Sequence, residues 1–282
     1  MRRVGRCKAP LVADVYATIA EVDVATQERL AGILELRAAD PQQRAMLDAY
    51  LSEIEFGPSA RVLEIGCGTG SIARVLSRQP GVAQVVGIDP SPVFIAKARE
   101  LSAAGDIVEI EEGDGRALRF ADEDFDVVVV HTSLCHIPQP EQVLTETFRV
   151  LRPVGTVAVF DGDYSTITVA LGESDPLQAC VEAVKSAFIN DVWLVRRLPT
   201  LLRSGGFDVL SSRSFGYLQT AAPDYMLTIV DRGADTLAGS GRIGSELCAS
   251  LKAEARRRAG ADEFFGFIGF TSFIGRKPGQ RA

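Results

Sequence analysis

Hydrophobic residues follow two different periodicities along the chain. In residues 11–55 they recur at helical spacing, as at Leu30, Ile33 and Leu34, and Pro41 after Asp40 marks the start of a second helix. Beyond residue 55, short apolar runs of strand length alternate with segments of helix length. The runs predict strands at 61–66, 83–89, 106–114, 125–133 and 155–163, and the segments between them predict helices at 71–79, 92–105 and 141–153.

Strands that alternate with helices form βαβ units, so this part of the chain predicts a parallel, doubly wound α/β sheet. Past residue 163 the rhythm changes, and residues 165–190 are predicted to be helical or irregular. A helix at 198–207, a strand at 208–219, helical residues 223–261 and a final strand at 264–277 complete seven strands. The predicted segments are an N-terminal helical cap (1–55), a ligand-binding core (56–222), a helical insertion (223–262), and a final strand with the tail (263–282).

The acidic composition of the chain disfavours a nucleic-acid partner. The formal net charge is −7 and the pI about 5.1, whereas a domain that holds nucleic acid through its phosphates is normally basic. No apolar run approaches the roughly 18 residues of a membrane helix. The basic start, from Arg2 to Lys8, has no apolar region of a signal peptide behind it and predicts a frayed terminus.

The cysteines give no sign of a metal site. All five are scattered, without CxxC spacing, which indicates reduced thiols in a cytoplasmic protein.

The glycine-rich turn LEIGCGTG at residues 63–70 predicts a ligand site after the first strand. It has the G-x-G of a dinucleotide fingerprint, but Ser71 stands at the third fingerprint position. Glu64 at the strand end would repel a diphosphate and suits a cationic group. Asp89, at the end of the second strand, can accept both hydroxyls of a ribose. The pattern favours a nucleoside with a cationic tail over a nicotinamide dinucleotide, although an oxidoreductase stays a weaker alternative.

These motifs resemble the class I S-adenosylmethionine-dependent methyltransferases, a family with a Rossmann-like fold. VLEIGCGTG is similar to their first motif and VVGIDPSP to their ribose-binding turn. EEGDGRALRF, FDVVVVHTSLCHIPQPEQVL and RVLRPVGTVAVFD follow in the family's order. The resemblance covers residues 60–163 and is greatest to the small-molecule branch that includes the ubiquinone and menaquinone methyltransferases. One departure is Val154, where the family usually has glycine.

The resemblance implies S-adenosylmethionine as the cofactor, with a role for each matching position. Glu64, Gly66 and Gly68 would line the methionine part, while Asp89 would hold the ribose. Tyr16 and Arg37 are placed like a tyrosine and an arginine of glycine N-methyltransferase-like members, where the guanidinium would bind the cofactor carboxylate. The remaining implied positions are Pro90 beside the adenine, Asp114 accepting its amino group, Gly115 and Arg116 flanking the ring, and His131 beneath the sulfonium.

Methyl transfer requires an aligned nucleophile and a dry site, and an oxygen nucleophile also benefits from a general base. His131 is the candidate base, and Asp161 and Tyr164 at the end of the fifth strand could orient the acceptor or take a proton. His136 is predicted to make a structural hydrogen bond.

The helical segments 165–200 and 223–261 predict an apolar cap, and so an apolar or aromatic acceptor, or else the surface of a homodimer. The favoured activity is O- or C-methylation of a small molecule, and the alternative is cofactor-retaining cyclisation or decarboxylation.

Overall fold

Seven strands form one sheet in the order β3-β2-β1-β4-β5-β7-β6. The structure is a computed structural model that describes residues 14–102 and 107–279. The predicted frayed start, the end of the 92–105 helix and the first residue of the 106–114 strand therefore lie outside the described residues. The strands are β1 (Ala60–Ile65), β2 (Val82–Asp89), β3 (Val108–Glu112), β4 (Phe125–His131), β5 (Leu151–Thr168), β6 (Asp208–Gln219) and β7 (Gly266–Arg276).

Nine α-helices occur in the described part of the chain, and none of them combines the length and hydropathy that crossing a bilayer requires. They are α1 (Val24–Ala39), α2 (Pro41–Leu51), α3 (Ser71–Leu76), α4 (Pro92–Leu101), α5 (Pro140–Val150), α6 (Gln178–Phe188), α7 (Leu194–Ser204), α8 (Asp224–Gly239) and α9 (Ser245–Gly260).

Strands β3, β2, β1, β4 and β5 are paired in parallel, and β7 lies antiparallel between β5 and β6. This is the predicted doubly wound α/β sheet with seven strands. The strand order reverses between β1 and β4, which are in register at Glu64 and Val129. In sheets of this kind a crevice opens at the carboxyl ends of the two strands where the order reverses, and ligands bind there. Glu64 and His131 both lie at that edge.

The fifth strand is longer than its pattern predicts, at both ends. The α5 helix ends at Val150, and Leu151 is already extended, so Pro153 lies inside β5 and does not end the helix. Pro153 restricts only Arg152 before it to extended backbone, and the helix has already ended at Val150. At the other end β5 continues to Thr168, which pairs with Phe267 of β7. The prediction of helical or irregular structure for residues 165–168 is therefore wrong.

Helices from three parts of the sequence meet on one side of the crevice. Asp40 caps α2 by accepting hydrogen bonds from the backbone N–H groups of Gln42 and Gln43 at 2.8 and 3.0 Å, which confirms the predicted break before Pro41. The α8 helix packs against α6 and α9 and also touches α1. The insertion thus lies beside the N-terminal helices.

Candidate active site

A cavity opens at the carboxyl ends of β1, β2 and β4 and is closed from the side by α1, α6 and α8. Most of the site residues that the sequence predicts line it. These are Tyr16, Arg37, Glu64, Gly66, Gly68, Asp89, Pro90, Asp114, Gly115, Arg116, His131 and Tyr164, and Asp161 is not among them.

The glycine turn allows the chain to pass close to β4. Gly66 has a φ of +74° and Gly68 a φ of +52°, in the left-handed region that side chains disfavour. A Cβ on Gly66 would also lie 2.4 Å from the Cβ of Ser133. The backbone N–H groups of Gly66 and Cys67 donate to the carbonyl of Ile88 at 2.8 and 2.9 Å, which fixes the turn on β2. Glycine is therefore required at position 66 by space as well as by conformation.

Glu64 is a buried carboxyl group that lacks a full set of partners. It is 1% exposed, and its Oε2 has no hydrogen-bond partner among the described residues. Burial, with the nearby Asp89 carboxylate as a further contribution, raises the pKa of Glu64 well above its usual value. A buried acceptor without a partner destabilises a protein unless a ligand satisfies it. Because Glu64 lines the cavity, a cationic ligand group there would supply the missing partner.

Asp89 is held in one orientation at the end of β2. Its Oδ2 accepts a hydrogen bond from the Gly68 N–H at 3.0 Å, and its Oδ1 accepts one from the Ser91 N–H at 2.9 Å. Each oxygen keeps a second lone pair, so the carboxylate can still accept two ribose hydroxyls. Burial raises the pKa of Asp89 to about 6, although both backbone donors act in the opposite direction.

Asp114 and Arg116 form an ion pair in the loop after β3, where both line the cavity. Their Oδ2 and Nη2 atoms lie 2.7 Å apart, and the Arg116 side chain holds the pKa of Asp114 below its usual value. Gly115 between them lies over β1, because a Cβ there would be 2.5 Å from the Cγ2 of Ile65. The structure thus brings together three predicted neighbours of the adenine, Asp114, Gly115 and Arg116. The Asp114 carboxylate, however, already accepts hydrogen bonds from the Arg116 side chain.

Arg37 projects from α1 to the end of β4, where its Nη2 donates to the hydroxyl of Thr132. Within the described residues no carboxylate lies within ion-pair distance of it, and the cavity-facing side chain of Tyr16 lies nearby. A partly buried guanidinium without an acidic partner can bind a carboxylate in bidentate geometry. Arg37 and Glu64 thus offer opposite charges to one ligand.

His131 is a neutral, buried ring. Its Nδ1 lies 2.9 Å from the hydroxyl of Tyr50, and its ring stacks on Phe160 with centroids 4.7 Å apart. Burial, followed by the positive charge of Arg37, lowers the pKa of His131 well below its usual value. His131 is therefore a weak proton acceptor, although it is placed at the cavity as the sequence predicts.

The two candidates from the predicted end of the fifth strand both lie within β5, but they differ in position. Tyr164 lines the cavity, and burial raises the pKa of its hydroxyl well above the usual value. Asp161 is 0% exposed and does not reach the cavity. Its carboxylate accepts hydrogen bonds from the backbone N–H groups of Cys135 at 3.0 Å and Gly162 at 2.8 Å. Asp161 therefore anchors the short turn that carries His136, which is not the contact with the acceptor that its sequence position suggested.

Sequence reasoning predicted a structural hydrogen bond for His136, which lines the same cavity, but missed its partner. Nδ1 of His136 is 2.8 Å from Oδ2 of Asp14, and the Asp14 side chain is 2% exposed. The same Oδ2 accepts the Asn190 N–H at 2.7 Å, and Oδ1 accepts the Tyr16 N–H at 2.9 Å. The His136 ring lines the cavity and has no other described hydrogen bond, so its Nε2 side is available to a ligand. No spacing signal could have found a pair so far apart in sequence.

Comparison with known proteins agrees with this architecture. Residues 63–159 match a family model described as a methyltransferase domain. The chain is 34% identical over 182 residues to sterol 24-C-methyltransferase ERG6 of Saccharomyces cerevisiae, covering 63% of this chain and 46% of the relative. It is 32% identical over 175 residues to 27-O-demethylrifamycin SV methyltransferase of Amycolatopsis mediterranei, covering 61% and 54%. The chain spans about half the length of the curated relatives it matches.

The fold itself extends over nearly the whole chain. A crystal structure of the [4+2]-cyclase SpnF superposes with a TM-score of 0.59 at 20% identity, covering 96% of this chain and 100% of that one. At this identity the likeness shows the fold alone. The match of residues 63–159 to the methyltransferase-domain model covers the part of this fold from β1 to β5.

Proposed function

We propose that this protein transfers a methyl group from S-adenosylmethionine to a small molecule. One observation carries the proposal: Glu64, Asp89 and Arg37 line a single cavity with the charges that this cofactor complements. Glu64 suits the cofactor's ammonium group, Arg37 its carboxylate and Asp89 its ribose hydroxyls. A diphosphate would instead meet the Glu64 carboxylate, which disfavours a nicotinamide dinucleotide.

When bound, S-adenosylmethionine supplies a methyl group activated by a sulfonium. The protein must hold an acceptor in line with that group and keep water away. The wall opposite the glycine turn suits this task because it is mainly apolar. Its side chains come from the end of β5, from α6 and from α8, and include Ile167, Val184, Phe188, Ile189 and Ile229. An apolar or aromatic acceptor fits such a wall, and the helices that provide it would act as the predicted cap.

An oxygen atom of the acceptor is the methylation site that the geometry favours. A hydroxyl that accepts a methyl group loses its proton, so the site needs a proton acceptor near neutral pH. We assign that role to Nε2 of His136. In this assignment the Nδ1–H donates a hydrogen bond to the Asp14 carboxylate, and Nε2 is left as a proton acceptor. His131 at the end of β4 and Tyr164 within β5 then contact the cofactor or acceptor, and Asp161 supports the His136 turn.

The test is calorimetric titration of the purified protein with S-adenosylmethionine, S-adenosylhomocysteine and NADH. Micromolar binding of the first two without NADH binding supports the proposal. Screening of acceptors follows, with mass analysis of the product for one added methyl group. Turnover without that mass change would identify cyclisation or decarboxylation, and tight NADH binding would contradict the assignment of the glycine turn.

The compartment and the assembly state are also predictions. Cys67, Cys135, Cys180 and Cys248 are buried free thiols, which fits the reducing conditions of a cytoplasm. A homodimer through the helical insertion, residues 223–262, is tested directly by light scattering of the purified protein.

A further inference from the structure

A second arginine of the cavity wall has no carboxylate partner among the described residues. Arg232 lies on α8, on the same helix face as Tyr225 and Ile229, and all three line the cavity. Its Nε donates to the Thr228 carbonyl at 3.3 Å, and its guanidinium lies over the Phe188 ring, 5.1 Å from the ring centroid. These contacts hold the side chain against the cavity wall but do not neutralise its charge.

The acidic neighbours of Arg232 are engaged elsewhere. Asp231 pairs with Arg256 at 2.6 Å, and Asp235 pairs with Lys252 at 2.5 Å, both on the far side toward α9. Within residues 14–102 and 107–279 no carboxylate lies within ion-pair distance of Arg232. Residues 1–13 contain no Asp or Glu in their sequence and cannot supply one from a side chain.

The other charged residues of the cavity are balanced by one another or by the cofactor. Asp114 and Arg116 neutralise each other. When both carboxyl groups are ionised, Glu64 and Asp89, offset by Arg37, carry one net negative charge, which equals and opposes the net positive charge of S-adenosylmethionine. Among the arginines and carboxylates that line the cavity, Arg232 alone is left without a counter-charge once the cofactor is bound.

The surroundings of Arg232 suit an anion from the acceptor. Phe188 and Ile229 give an apolar wall, and Tyr16 of the N-terminal segment also lines the cavity there. Burial raises the pKa of the Tyr16 hydroxyl, and the charge of Arg232 acts in the opposite direction. The Tyr16 hydroxyl therefore stays protonated and can donate a hydrogen bond beside the guanidinium.

We infer that the methyl acceptor is an apolar molecule with one carboxylate group, and that Arg232 is the counter-ion for that group. This inference rests on the proposed function, because it assigns Arg37 to the cofactor and leaves Arg232 for the acceptor. Arginine suits the role because its planar fork can donate two parallel hydrogen bonds to a carboxylate. An acceptor of the same shape without the acid would leave a cation on an apolar wall.

The experiment measures acid preference in the protein saturated with S-adenosylhomocysteine. The probes are 4-phenylbutanoic, 6-phenylhexanoic and decanoic acids, each compared with its primary amide by calorimetric titration. The wild-type protein is expected to bind at least one acid about tenfold more tightly than its amide. Arg232→Gln should abolish the preference, and Arg232→Lys should retain part of it. Arg242→Gln is the matched control, because it removes the same charge from an exposed position outside the cavity.

Three results would overturn the inference. The first is that the wild-type protein binds none of the three acids more tightly than its amide. The second is that Arg232→Gln keeps the acid preference. The third is that Arg232→Gln loses as much S-adenosylhomocysteine affinity as Arg37→Gln does. The last would assign Arg232 to the cofactor. A wild-type protein that binds no S-adenosylhomocysteine contradicts the proposed function instead, and acid preference in the cofactor-free protein then still reports on Arg232.

Discussion

The carboxylate of Asp14 fixes the ring of His136, with Oδ2 and Nδ1 2.8 Å apart although the residues are separated by 122 positions. The Asp14 oxygens also accept two backbone N–H groups, from Tyr16 and Asn190, so the carboxylate is itself held in place. Such a pair selects one tautomer of the histidine and directs its second nitrogen into the cavity.

We expect His136→Gln to slow O-methylation by about 10²- to 10⁴-fold, because the acceptor hydroxyl then loses its proton without a base. Asp14→Asn should slow it in the same direction but less, since the imidazole remains. The rate is measured as S-adenosylhomocysteine formed with a hydroxylated acceptor from the screen. Calorimetry supplies the control: both variants should bind S-adenosylhomocysteine as the wild type does. An unchanged rate in His136→Gln would remove His136 from the mechanism.

Glu64 and Arg37 are expected to recognise only the amino-acid part of the cofactor. Glu64→Gln and Arg37→Gln should each weaken S-adenosylhomocysteine binding at least about tenfold, the scale of one charge-assisted hydrogen bond. Neither should change the affinity for 5′-methylthioadenosine, which lacks the amino-acid part. Asp89→Asn is the complementary variant and should weaken both ligands, because both contain the ribose. Equal losses for the two ligands in Glu64→Gln would show that Glu64 acts on the turn rather than on the ligand.

The sequence could predict those parts of the site that depend on local motifs. Glu64 and Asp89 lie at strand ends, and the strand order follows from the βαβ pattern, so their convergence could be inferred. The Asp14–His136 pair and the position of Arg232 depend on how segments far apart in sequence pack together, which periodicity does not encode. Asp161 shows the opposite error: the sequence pattern predicts it at a strand end, like a site residue, but it lies within β5 and its carboxylate accepts hydrogen bonds from backbone N–H groups.

Cofactor binding should depend on pH through Asp89. Burial raises the pKa of Asp89 to about 6, and the ribose hydroxyls need the ionised carboxylate. Affinity for 5′-methylthioadenosine should therefore fall as the pH falls through 6, and be about tenfold weaker at pH 5 than at pH 7.5. 5′-Methylthioadenosine has no ammonium group, so a change in the charge of Glu64 cannot alter its binding through that group. Asp89→Asn should remove most of this pH dependence, and a flat wild-type profile would contradict the prediction.

The same carboxylate should act on stability in the opposite sense. The folded-state pKa of Asp89 is raised above its unfolded value, so its contribution to stability is present at low pH and lost as the pH rises through 6. The free energy of unfolding of the cofactor-free protein should therefore lose about 1 kcal/mol from this group between pH 5 and pH 7.5. Urea unfolding of the wild type and of Asp89→Asn at both pH values measures the difference. A pH dependence that Asp89→Asn leaves unchanged would assign the effect to other groups.

Val154 is a strained position whose replacement should stabilise the protein. Its φ of +61° lies in the left-handed region, which a β-branched residue disfavours, and its side chain is 65% exposed. Its N–H donates to the Lys277 carbonyl at 3.0 Å, and this bond to the end of β7 holds the conformation in place. Val154→Gly keeps the bond and removes the strain, so the free energy of unfolding measured in urea should rise by about 1 kcal/mol.

Val154→Ala is the matched control, because it keeps a Cβ at positive φ and should gain much less. S-adenosylhomocysteine affinity should stay the same in both variants, since Val154 lies outside the cavity. If Val154→Ala stabilises as much as Val154→Gly, side-chain exposure rather than backbone conformation is the source of the effect.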